Sequence, residues 1–460
     1  MIATLFSPMA NAAFRTLFAA QIFSLLAIGL MTVAMSLAAY RIGGAAAAGQ
    51  ILGFLLAVKM VAYVGVSPLA EALFSGLRRR RVMVGLDVVR MLLLLPMAFA
   101  TQTWQIAVLA FCFFAVSAGF TPLFQSVIPD VLTDEHGYSR ALVWSRIAYT
   151  LESVLSPVIA AIVMQMVASA FLFWVAAVAF LGSIAMLLLT HFPADSVDPR
   201  KGSFIARASK GLSIYRRTPR LRGLFLLNFA LSLGMAWVLV NSVVLAGVRL
   251  GNAEAEFPVL MTFYGLGAVI GAVLVPRLIE ALQERRTMAA GAVLHAMLGF
   301  AIVLPLGYAG YMALWVGFGL AASLVLTPGG LVIARSAARA NRAAVFAAQF
   351  SLSHAGWMVA YPLAGELGAR VGLETALMIL SGLTIGMVIL ALRAWPSTDP
   401  LTREHEHPEL PADHRHLREI PAHGQRQRHA HAFHIDDLHP KWGNPSNIFV
   451  NEPMTYRKMK

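Results

Sequence analysis

The chain has 460 residues, of which 58% are hydrophobic and 13% charged, and its formal net charge is +13. That much apolar side chain exceeds what soluble cores enclose, so the composition is that of a membrane protein. A single cysteine, Cys112, excludes an intramolecular disulfide and a thiolate metal cluster. The basic balance comes without the aromatics interleaved along a basic groove that nucleic acid requires, which leaves anionic lipid as the counter-charge.

The first apolar run, from about Phe14 to Tyr40, is long enough to span and carries no cleavage-site pattern, so it reads as a retained helix. Further runs of spanning length follow near 46–74, 82–101, 104–128, 141–165, 169–190, 223–248, 257–282, 287–308, 310–334, 344–368 and 373–395, for twelve predicted helices. Backbone groups in lipid must be satisfied within their own segment, which makes these runs helices rather than isolated strands. Internal glycines, as in "YGLGAVIGAVL", suit close helix contacts. The basic residues fall in alternate connections: "RRRR" at 78–81, the stretch from Arg200 to Arg222, Arg285 with Arg286, and Arg335, Arg339 and Arg342. Little beyond Arg41, Arg249 and Arg370 occupies the others. The positive-inside rule then places both termini in the cytoplasm and the protein in the plasma (inner) membrane.

The longest polar interruption, 191–222, separates six helices (1–190) from six (223–395). A weak internal echo supports the division: "FRTLFAAQ" at 14–21 recurs as "LRGLFLLN" at 221–228, and "YRIGG" at 40 is answered by "VRLGN" at 248. Parallel six-helix halves are one way to build a midplane site that opens alternately to each side. Beyond Trp395 the composition turns to Pro and charge, and 396–460 reads as a disordered histidine-rich tail.

"SPLAEALFSGLRRRRVM" (67–83) resembles the signature that the major facilitator superfamily carries between its second and third helices. Pro68, Leu69, Ala70 and Arg79 to Arg81 match, whereas Ser67 and Glu71 stand where glycines are usual and Ser75 where an Asp is usual. "ESVLSPVIAA" (152–161) resembles that superfamily's antiporter motif, with Ser156 and Pro157 in place and Ala160 and Ala161 for the paired glycines. "FTPLFQSVIPDVLTDEHGYSRAL", "SRIAYTLESVLSP" and the histidine-rich end are most similar to the nickel-resistance exporters of the superfamily. The resemblance implies the major facilitator fold over 14–395 and favours export over import.

An ionisable side chain at membrane depth costs several kcal/mol and is rarely kept without a partner or a task. Helix rise puts Lys59, Glu152 and His354 near the midplane, and Asp87, Arg90, Arg146, Asn228 and His295 nearer the cytosolic face. Glu152 is the best candidate for exchanging a proton with a cavity; pairing with Lys59 is its structural alternative. Lys59 either neutralises a structural acid or lines the cavity. His354 and His295 are packing residues, or else transient metal ligands or proton carriers. Asp87 and Arg90, three residues apart on one helical face, read as a local ion pair or a clamp at the cytosolic mouth.

The tail holds His405, His407, His414, His416, His423, His429, His431, His434 and His439. Several are spaced i, i+2, which in an extended chain puts two imidazoles on one side, a pattern suited to Ni, Co, Zn or Cu. The alternative is a solvated polar tail. No nucleophile elbow, metalloprotease motif or phosphate loop points to an enzyme, and none calls for a cofactor. The reading is a proton-coupled efflux transporter for a small solute or a divalent metal such as nickel or cobalt. An amphipathic drug or siderophore-like cargo, and a membrane metal sensor, are the alternatives.

Overall fold

The computed structural model describes residues 7–74, 78–132, 135–192, 204–338, 341–399, 402–406, 428–435, 439 and 442. The body is helical. Helix α1 (Ala12–Phe74) breaks at Gly44, whose φ of 57° suits a residue without a Cβ, so it forms two arms, 12–43 and 45–74. It is followed by α2 (Arg79–Met97), α3 (Thr103–Val131), α4 (Glu135–Met164) and α5 (Leu172–Leu189). Then come α6 (Phe204–Arg217), α7 (Pro219–Arg249) and α8 (Ala253–Phe300). Helix α8 also has two arms, broken at Gln283, where φ is 65° on a residue that has a Cβ, a strained position. The body closes with α9 (Tyr308–Leu326), α10 (Gly329–Ser336), α11 (Arg342–Val371) and α12 (Leu373–Ala394).

Seven helical stretches among the described residues are long and apolar enough to cross a membrane, and both two-armed helices are among them. Helices α2, α4 and α11 fall outside that set, and each carries ionisable residues. The interruption at 191–222 is not all loop, because α6 lies in it. Its Tyr215 is buried, which raises the phenol above its ordinary pKa and keeps it a neutral donor to Gln349 of α11. This bond ties the linker to the second half.

The two halves repeat one packing motif. In the first, Ser183 of α5 donates to the carbonyl of Ala20 on α1, at 3.0 Å. In the second, Thr384 of α12 donates to the carbonyl of Ala230 on α7, also at 3.0 Å. The last helix of each half is thus pinned to its first by the same hydroxyl-to-carbonyl bond, a three-dimensional counterpart of the sequence echo.

The halves meet near the turns at Gly44 and Gly251, called here the glycine end. Gln50 donates to Glu366 (2.8 Å), Ser169 donates to Glu254 (2.5 Å), and the Tyr40 hydroxyl fills the space that a Cβ at Gly247 would need. The second arm of α1 crosses α11 so closely that a Cβ on Gly53 would stand 2.5 Å from the Tyr361 carbonyl oxygen. One hydrophobic cluster unites both halves, while a second, with Phe14, Met83, Phe124 and Leu187, belongs to the first half alone.

The tail departs from the expectation of disorder where it is described. Strand β1 (Thr402–Glu406) pairs antiparallel with β2 (Arg428–Ala432), and Phe433, Ile435 and His439 are buried. Apolar side chains in a polar tail gain burial only by docking, and these dock on the second half. Arg220 of α7 lies 5.2 Å from the Trp442 ring and donates to Asp399 (2.8 Å) and to the Arg335 carbonyl (3.1 Å). Arg335 in turn pairs with Glu284. Arg285 donates to the carbonyls of Leu392 (2.9 Å) and Trp395 (2.7 Å), capping the negative end of α12.

Candidate functional site

Three helices bring the midplane candidates together. Lys59 and Tyr63 sit one turn apart on the second arm of α1, Glu152 and Ser156 one turn apart on α4, and Phe350 and His354 one turn apart on α11. The Lys59 ammonium lies 5.0 Å from the centre of the Phe114 ring and 5.8 Å from that of Tyr63. Tyr63 meets Phe114 edge-on at 5.9 Å and His354 edge-on at 5.8 Å, so this tyrosine carries the contact across the two halves. His354 lies tilted against Phe350 with ring centres 3.9 Å apart, and its Nδ1 donates to the Phe350 carbonyl at 2.7 Å. Glu152 and Ser156 press on the first arm of α1 at Gly29, where no Cβ would fit. Pro157 leaves the carbonyl one turn earlier in α4 without its helical donor.

Lys59 couples electrostatically to both Glu152 and His354. Neither Lys59 nor Glu152 makes a hydrogen bond or direct ion pair among the described residues. The site is thus a half-buried cation and anion held apart, with ring faces against the cation.

Asp87 and Arg90 lie elsewhere, fully buried inside the first half. Arg90 donates to Asp87, which also accepts from Ser183 at 2.6 Å. The guanidinium is sandwiched between Phe120 (4.2 Å) and Phe180 (4.7 Å), and its Nε and Nη1 have no acceptor. This is the ion pair that the i, i+3 spacing suggests, reinforced by Ser183 from α5. His295 is inside the second half, 4.8 Å from Phe318 and against Gly234, without a partner for either ring nitrogen. Asn228 bonds the Leu224 carbonyl of its own helix at 2.8 Å. The side chain of Arg146 lies outside the described residues.

In the tail, His407, His414, His416 and His423 also lie outside the described residues. His405 stands opposite His429 in the strand register, and Arg403 opposite His431. His439 packs against Phe433 at 4.9 Å, and His434 is half-buried. Among the described side chains no three His, Cys, Asp or Glu residues converge as a metal site. Sequence reasoning missed Tyr63, Phe114 and Gly29. Tyr63 was detectable as the i+4 neighbour of Lys59; Phe114, inside "AFCFFAV", gives no signal of its own.

The family model described as Major Facilitator Superfamily matches residues 224–433. No curated protein matches the chain. Among solved structures, the nucleoside transporter NupG aligns with a TM-score of 0.65 at 12% identity, over 82% of this chain and 98% of that one. A POT family transporter in complex with 5-aminolevulinic acid aligns at 0.65 and 14% identity, over 83% and 95%. The human organic anion transporter MFSD10 aligns at 0.61 and 15% identity, over 83% and 99%. The chain shares its fold with these solved transporters, and its apolar helices point to an integral membrane protein.

Proposed function

We propose that the chain is a secondary active transporter of the major facilitator superfamily that works by proton-coupled export. With each arm of α1 and α8 counted as a crossing, α2 to α5, α7, α9, α11 and α12 complete twelve, and the arginine-rich end and both termini face the cytoplasm across the plasma (inner) membrane. The observation that carries this reading is the site itself. Lys59, Glu152 and His354, distant in sequence, gather where the second arm of α1, α4 and α11 meet. A lone carboxylate coupled to a cation at membrane depth is a group that can exchange a proton with the cavity. The test is flux into proteoliposomes driven by a pH gradient: Glu152→Gln keeps size and removes titration, so it should abolish flux while folding and insertion persist. Loss of folded protein instead would assign Glu152 to structure.

Two cargo readings remain, each with its own support. The opposed His405 and His429 favour nickel, cobalt or zinc, gathered by the tail and passed to the site as transient ligands. The ring-lined cation site favours an amphipathic organic molecule. Growth of a deletion strain across metals and hydrophobic toxicants separates them.

A further inference from the structure

The Lys59 ammonium is held unusually loosely for a charge at membrane depth. Its near neighbours are two ring faces, it has no hydrogen-bond or ion-pair partner among the described residues, and Glu152 attracts it only through space. Glu152 is equally without a bonded partner. A purely structural pair would be expected to close up, because in a low dielectric the attraction grows as the charges approach and a direct bond offsets desolvation. What the fold holds instead is a cation seat made of two π faces, with a tethered cation resting in it and the Glu152 carboxylate close enough to attract it.

We infer that Lys59 is a built-in stand-in for the cargo's charged head, and that the cargo is a hydrophobic organic cation that takes the Tyr63 and Phe114 faces and Glu152 when the flexible lysine stem swings away. The inference deepens the transport reading above and rests on it. Ring faces are negative and repel an anion, so Lys59 is not placed to receive one. A divalent metal stripped of water needs several N or O ligands together, and no such set converges among the described side chains. An organic cation needs neither: its charge is diffuse, its desolvation modest, and its apolar body suits Phe350 and the neighbouring Trp357 and Tyr361 on α11, whose rings lie tilted with centres 5.0 Å apart. Competition between lysine and cargo also gives the empty site an occupant, which keeps Glu152 from standing bare between loads.

Two ions of the same shape and opposite charge test this: tetraphenylphosphonium and tetraphenylborate, titrated calorimetrically into the full-length protein in lipid nanodiscs. The phosphonium should bind and the borate should not. Lys59→Leu should tighten phosphonium binding at least tenfold by removing the competitor, Lys59→Arg should leave it near the original value, and Glu152→Gln should weaken it at least tenfold. Phe114→Leu, which keeps every charge, should weaken it several-fold and stands in should a charge variant fail to fold. Borate binding that disappears in Lys59→Leu would overturn the inference in favour of an anion site. Phosphonium affinity indifferent to Lys59, or phosphonium displaced by Ni2+ alone, would overturn it as well. If phosphonium binds as described but no pH gradient drives its flux, the transport reading fails and the cation site stands.

Discussion

At the scale of single residues, the two buried charge groups of the first half behave as opposites. Asp87 and Arg90 are bonded to each other, supported by Ser183 and packed between two rings, whereas Lys59 and Glu152 are kept apart. Removing one member of a buried bonded pair leaves the other charge stranded, so Asp87→Ala should destabilise the protein by about 3–5 kcal/mol. Removing the supporting hydroxyl in Ser183→Ala should cost about 1.5–3 kcal/mol. Thermal unfolding in detergent checks both, and Asp87→Leu combined with Arg90→Met should recover most of the loss. If the double variant is as unstable as the single one and transport is lost with normal folding in all three, the pair belongs to the transport machinery instead. Glu152→Gln is expected to show the reverse pattern, a folded protein without coupled flux.

At the scale of elements, the crossing of the second α1 arm with α11 is the contact that closes the glycine end. Its closeness depends on glycines at Gly49, Gly53 and Gly365, and on the Gln50 to Glu366 hydrogen bond beside them. Alternating access requires this contact to part. Gln50→Cys with Glu366→Cys, in a Cys112→Ser background, should therefore form a disulfide under mild oxidation and stop flux, with recovery on reduction. Undiminished flux in the fully cross-linked protein would show that the glycine end does not open during transport. The helices themselves were legible as apolar runs, but this crossing was not. A glycine in "GQILGFLL" reads the same whether it faces lipid or another backbone, and only the packed partner distinguishes the two.

At the scale of the whole molecule, the described part of the tail docks on the second half. Truncation after Trp395 removes Asp399, the acid partner of Arg220, which is only 3% exposed. It should cost several kcal/mol as a stranded charge. Truncation after Asp399 keeps that pair and loses the hairpin, so it should leave insertion and maximal flux nearly unchanged and alter only the dependence on cargo concentration. Comparing unfolding temperatures of the two truncations measures the difference directly. Equal stability would mean that the tail docks without bearing on Arg220. Reporter fusions near Gly251 test the orientation, and a cytosolic signal there would reverse it.

Hydropathy by itself determined that this chain carries membrane-spanning helices and roughly where they lie. Those properties depend on the length and polarity of local segments, which a sequence displays directly. The ionisable residues worth watching were visible for the same reason, since a charge in an apolar run stands out whatever surrounds it. Only the tertiary structure decided which of them meet. It bonded Asp87 to Arg90 and kept Lys59 and Glu152 unbonded, buried His295 against Phe318 and Gly234 inside the second half, and placed Tyr63 against His354. It also folded part of a tail whose composition argued against order, because the burial of Phe433 and Ile435 is provided by α-helical surface far away in sequence. Partners brought together across hundreds of residues leave no periodic trace in either segment, so their chemistry appears only when the helices pack.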